Sequence, residues 1–210
     1  MSRSVTALRI ASPAADALIP QPTVDEWGRD ARLMRSLAPL VGLRWDFAIT
    51  GQEHLAGGAA LIVVNARRFA LDPIAAAWAL SDELVRSVRF VGRPDFVPFG
   101  PLLRRVGGLL AQLGEVAGAL RAGETVIVSA SPTAGGRSVG EVPSELVGAA
   151  IREGVPVYVA AITSAMTSRS VHIEISEALA ADLGRRGPLA EVELADIARR
   201  RLRQLLGASA

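Results

Sequence analysis

Apolar and polar positions along this 210-residue chain fall into blocks, and the blocks change period in a regular order. Residues 45–50, 60–64, 88–91, 125–130, 155–162 and 171–175 are short runs rich in Val, Ile and Leu, bounded by Gly, Pro or charged residues, and they predict strands. Between them, 72–85, 113–122, 145–152 and 189–206 carry apolar residues at helical spacing. Gly123 and Gly154 stand where two of these helices must stop. Asp25-Glu-Trp-Gly-Arg-Asp30 leads into a further helix reaching about residue 43. Its Leu33, Leu37, Leu40 and Val41 form one stripe, with Arg29, Arg32 and Arg35 elsewhere on the turn. That stripe reads as a helix packed on the sheet, with a membrane-surface helix as the alternative. Residues 96–105 read as a short helical segment, and Gly107-Gly108-Leu-Leu-Ala111 as a tight turn or short strand.

Strands alternate with helices from 45 to 162. The expected fold is therefore α/β, a single-domain sandwich with a largely parallel central sheet flanked by helices. Residues 1–23, with prolines at 13, 20 and 22, read as a loose N-terminal arm before a domain spanning 24–210. There is no internal repeat.

Composition narrows the chemistry. Half of the residues are apolar and few are aromatic, so the core rests on Ala, Val, Leu and Ile. With no Cys, disulfides and thiolate metal sites are impossible, and the two histidines, His54 and His172, lie in no recognisable ligand spacing. Every basic residue is Arg, yet the net charge is only +2 and no nucleic-acid module stands out, so no nucleic-acid partner is expected. No stretch approaches the roughly 20 apolar residues of a membrane span, and the N-terminus lacks a signal pattern. The expected location is the cytoplasm, with peripheral contact on the inner membrane face as its extension.

The candidate chemistry sits where the second strand opens toward a helix, in Leu61-Ile-Val-Val-Asn-Ala-Arg-Arg-Phe-Ala-Leu-Asp-Pro73. α/β domains bind ligands at such strand ends. This strand–loop–helix resembles that of the glycerolipid acyltransferases, the glycerol-3-phosphate and lysophospholipid acyltransferase superfamily, whose loop reads Asn-His-x-x-x-x-Asp-Pro. Further segments are similar in order and spacing: Ile49-Thr-Gly-Gln-Glu-His-Leu55, Phe90-Val-Gly-Arg93, Gly100-Pro-Leu-Leu-Arg-Arg-Val-Gly-Gly108, Ala122-Gly-Glu-Thr-Val-Ile-Val128 and Gly154-Val-Pro-Val157. The resemblance implies that family's sandwich fold, with acyl-CoA as ligand or co-substrate, no other cofactor and no metal.

In the family the His takes the acceptor's proton and the Asp holds the imidazole. Here Asn65, Asp72 and Pro73 remain without a His. Counted from Asn65 its position is Ala66; counted back from Asp72 it is Arg67, because this loop is one residue longer. Ala has no titratable group, and Arg stays protonated. Losing a positioned base removes about 10²–10⁴ in rate. Asp72 is then a remnant of the catalytic pair, or simply an N-cap before Pro73. The family's Phe-Pro-Glu-Gly-Thr motif, which helps hold the acceptor headgroup, becomes Ser129-Ala-Ser-Pro-Thr133, with Ser131 for Glu and Pro132 for Gly. The resemblance assigns Ser131, Thr133 and Arg137 to substrate binding; Arg137 reads equally as a solvated loop charge. Arg67 and Arg68 could hold a phosphate by bidentate contacts if they face the cleft, or be exposed charges. Arg104 and Arg105 pose the same question.

Three functions follow from this pattern. The first is a non-catalytic member of the family that binds lipid or acyl-CoA, or regulates an active acyltransferase partner. The second is a working transferase with a rearranged site, for which His54 is the only His near in sequence. The third is an interaction protein that inherited the fold. No Gly-x-Ser-x-Gly elbow marks a hydrolase, and no Gly-x-Gly-x-x-Gly follows the first strand.

Overall fold

The computed structural model describes residues 23–55, 57–66, 72–92, 94, 98–133, 139–164, 169–179 and 186–208. Seven strands form one sheet: β1 (Asp46–Thr50), β2 (Ala60–Val64), β3 (Val88–Gly92), β4 (Gly108–Leu110), β5 (Thr125–Ser129), β6 (Val157–Ser164) and β7 (Ser170–Ile175). Their spatial order is β1-β7-β6-β2-β5-β3-β4. Every pairing is parallel except β6 with β7. Among the described residues six α-helices accompany them: α1 (Ala31–Arg44), α2 (Asp72–Glu83), α3 (Gly100–Arg105), α4 (Leu113–Arg121), α5 (Ser144–Glu153) and α6 (Pro188–Ala208).

The pattern in β2 explains its place. All five of its residues are buried, as an unbroken apolar run should be in a strand covered on both faces. Ala60, Ile62 and Val64 join one core cluster, with Ile127, Tyr158 and the Ala-rich α2. Leu61 and Val63 join the other, with Val126, Val159 and the inner faces of α4, α5 and α6. Each fully buried Leu, Ile or Val contributes roughly 1.5–3 kcal/mol. The flank differs. Val171, Ile173 and Ile175 of β7 join the α2-side cluster and Phe47 and Ile49 of β1 pack against it, while Asp46, Ala48 and Thr50 of β1 are exposed. The antiparallel edge is thus covered on one face only, which its alternating sequence permits.

Most predicted elements stand, with shifted ends. The segment 107–111 resolves into β4, a short edge strand pairing Phe90 with Gly108. Asp25–Arg29 forms a turn that leads into α1, which begins after Asp30. The Asp30 carboxylate accepts from the backbone N–H groups of Arg32 and Leu33 at 3.0 and 3.1 Å. The contact of this helix is shallow: α1 has no fully buried residue, while Leu33, Met34, Leu37 and Val41 are half-buried. Of the expected N-terminal arm, only Thr23 is among the described residues.

Candidate functional site

The topology marks one place on the sheet. From β2 the chain crosses through α2 to β3, on one side; from β5 it crosses through α5 to β6, on the other. α2 and α5 lie on opposite faces. The C-terminal ends of β2 and β5 therefore flank a switch point, where a crevice opens between diverging connections. β2 and β5 are direct neighbours, with Val64 opposite Ser129, and the Ala130 N–H donates to the Val64 carbonyl at 2.8 Å. The two segments singled out in the sequence, 65–73 and 129–133, thus leave the sheet side by side.

Asn65 is committed to structure. Its side chain is buried; Nδ2 donates to the Ile162 carbonyl at 2.9 Å and Oδ1 accepts from the Ile162 N–H at 2.7 Å. The amide thereby extends the β2–β6 ladder by one side-chain rung, and both of its ends are used. Ala66 follows, half-buried. Asp72 opens α2 and Pro73 occupies its first turn, so the positive end of this helix faces the edge of the sheet where β2 ends. The Asp72 side chain, Arg67, Arg68 and Arg137 lie outside the described residues.

On the β5 side, Ser131 and Pro132 are exposed and Thr133 is half-buried. The Ser131 N–H donates to the Glu141 carbonyl at 2.7 Å, which folds the loop back on its own base. Gly140 lies directly against the Ser131 carbonyl, where any Cβ would collide with backbone. Sequence reasoning missed Ser129 as a separate feature. Its hydroxyl is buried with no partner among the described residues, beside Val64 and on the strand face that Ile127 presents to α2. A polar residue ending an otherwise apolar strand was the available signal.

The histidines are elsewhere. His54 follows β1, and its Nδ1 lies 3.1 Å from the Ile175 carbonyl at the end of β7. β6 intervenes between β7 and β2, a gap of about 10 Å. His172 sits in β7 opposite Thr163, on the same flank. Arg104 and Arg105 are also engaged away from the crevice: Arg104 pairs with Glu115, and Arg105 Nη2 with Asp30 Oδ2 at 2.8 Å. Among the described residues no three His, Asp or Glu side chains gather as metal ligands, and no helix is long and apolar enough to cross a membrane.

This is an α/β sandwich whose sheet is parallel but for one pairing, with the acyltransferase-type arrangement expected from the sequence. The fold is similar to the crystal structure of the 1-acyl-sn-glycerophosphate (LPA) acyltransferase PlsC from Thermotoga maritima. The TM-score is 0.57 at 18% identity, over 83% of this chain and 79% of that one. No family model matches the sequence, and no curated protein matches it.

Proposed function

We propose that this chain is a degenerate relative of the glycerolipid acyltransferases, a single domain that binds lipid or acyl-CoA without transferring the acyl group. In this reading it works as a binding or regulatory partner of an active acyltransferase at the cytoplasmic face of a membrane. One observation carries it. The ends of β2 and β5 lie together as a two-motif site requires, yet Ala66 or Arg67 occupies the base position, and Ser131 and Pro132 replace the Glu and Gly. His54 and His172, the chain's only histidines, lie on the far flank of the sheet. An alcohol bound at this mouth meets no imidazole to take its proton, and a carboxylate of ordinary pKa near 4 is a weak substitute. Arg67, Arg68 and Arg137, with the N-terminal end of α2, supply the positive charge for a phosphate group.

The test is native mass spectrometry for retained lipid or acyl-CoA, paired with acyl-CoA hydrolysis and transfer assays on lysophosphatidic acid and glycerol 3-phosphate. Retention without turnover is expected, and restored transfer in the triple variant Ala66→His, Ser131→Glu, Pro132→Gly would support the inherited site. Robust wild-type transfer that Asp72→Ala abolishes overturns the non-catalytic reading in favour of a rearranged enzyme.

A further inference from the structure

α2 spans about 18 Å, from the mouth of the sheet at Asp72 to the opposite edge at Glu83. β1 is parallel to β7, β7 is antiparallel to β6, and β6 is parallel to β2. β1 therefore runs against β2, and its C-terminal end reaches that same far edge. There β1, α2 and α1 border a cleft of about 290 Å³. Phe47 and Ile49, alternate residues of β1, form one wall. Trp78, Ala79, Asp82 and Glu83 form another, as one face of α2, and Gln52 stands just past the end of β1. The chain has 23 arginines, yet no Arg or His lines this cleft. Asp82 and Glu83 pair with no cation among the described residues. Asp25, Asp30, Glu115, Glu124, Glu153 and Glu191 each hold an arginine. Both free carboxylates also sit in the last turn of α2, at the negative end of its dipole, where the turn has no basic residue. The Gln52 Oε1 is buried and accepts from nothing. Nearby, Trp45 carries the Arg44 guanidinium 5.3 Å from its ring centroid, whereas Trp78 carries no cation among the described residues.

We infer that this cleft is a binding site for a small protonated amine with an apolar or aromatic body. The ammonium group sits against Asp82, Glu83 and the Gln52 Oε1, and the carbon body lies on Trp78, Phe47 and Ile49. Each part of the lining selects a part of the ligand. Two unpaired carboxylates at a helix C-terminus attract a cation and repel phosphates and carboxylates. The buried Gln52 oxygen needs an N–H, which a primary ammonium supplies and a quaternary one does not. The volume lies at the small end for ligand sites, so it suits one ring or a short alkyl chain rather than a folded partner. The cleft lies at the other end of α2 from the mouth of the sheet. The inference therefore stands apart from the lipid or acyl-CoA binding proposed there.

The experiment is calorimetric titration of the full chain with phenethylamine, with its neutral counterpart 2-phenylethanol and with its trimethylated ammonium, read together with amide hydrogen exchange. Saturable binding of phenethylamine is expected, weakened by added salt, with slowed exchange in 47–52 and 78–83. The alcohol should bind roughly tenfold more weakly or worse, and the trimethylated cation should fall between the two. Asp82→Asn with Glu83→Gln should lose roughly fivefold to tenfold in affinity. Gln52→Met, which keeps the shape and removes the acceptor, should lose about fivefold. Asp82 and Glu83 are exposed, and neutral residues suit a helix C-terminus better, so the double variant keeps the fold. The inference is overturned if phenethylamine shows no saturable binding, if the alcohol binds as tightly as the amine, or if the double variant titrates like wild type. Slowed exchange only outside the two segments, or tighter binding of a lysine tripeptide than of phenethylamine, would overturn it too.

Discussion

Residues 23–30 and α1 are contiguous, yet they are held in opposite ways. The first stretch is nailed to the domain by charge. Arg89, only 1% exposed on β3, reaches Asp25 at 2.7 Å and Glu124 at 3.0 Å, and Ser87 donates to the same Glu124 at 2.6 Å. Arg29 lies in the same cluster; burial and the Arg89 charge depress its pKa, with Asp25 and Glu124 opposing. Trp27 fits over Gly118 of α4. Past Asp30 the contact becomes shallower: α1 has no fully buried residue, and of its stripe Leu33, Leu37 and Val41 are half-buried while Leu40 is exposed. The contrast teaches that a stripe of leucines does not identify its own partner.

The strongest way to break this contrast is Arg89→Met. It removes the buried cation and leaves Asp25 and Glu124 facing each other, with an expected loss of about 3 kcal/mol in urea unfolding. A loss under about 0.5 kcal/mol would show that the strap is not fastened there. Gly118→Ala follows. Its Cβ would meet the Trp27 ring at 2.8 Å, and the cost of overpacking, less the gain in helix propensity, leaves a loss of roughly 1 kcal/mol.

Asp30 gives a smaller, pH-dependent effect. The Leu33 backbone N–H is the largest cause of its lowered pKa, helped by the Arg32 N–H and Arg105, with burial opposing. The folded value lies below the unfolded one, so Asp30 stabilises the fold above the ordinary carboxylate range near pH 4. That contribution fades as pH falls through the lowered value. Asp30→Ala should therefore be less stable than wild type at neutral pH, and the gap should close in acid. Last, Leu40→Ser with Leu43→Ser should change stability by no more than about 0.5 kcal/mol, because neither side chain supports the core.

The sequence made some of this legible and hid the rest for physical reasons. β2 was readable because a strand covered on both faces must be apolar throughout. The helices after it were readable from period and glycine stops. Strand order was not, since pairing across the sheet joins residues far apart in the chain, as Asn65 joins Ile162. Asn65 looked like the survivor of a catalytic loop, and its bond to β6 shows only in the register. Arg89 was passed over inside Val88–Gly92, although an arginine in an apolar strand implies a buried counter-charge. The adjacency of the two motif segments shows only in the pairing of β2 with β5. Where Arg67, Arg68 and Arg137 point lies outside the described residues.

The Asn65 rung has a consequence for how this mouth can change. It fastens β2 to its neighbour at the last residue before the loop to α2, so the framework is already secured when position 66 begins. Replacements beyond that knot, whether by drift or by design, alter chemistry without loosening the wall behind it. Side chains placed after such a knot can be exchanged while the architecture stays intact.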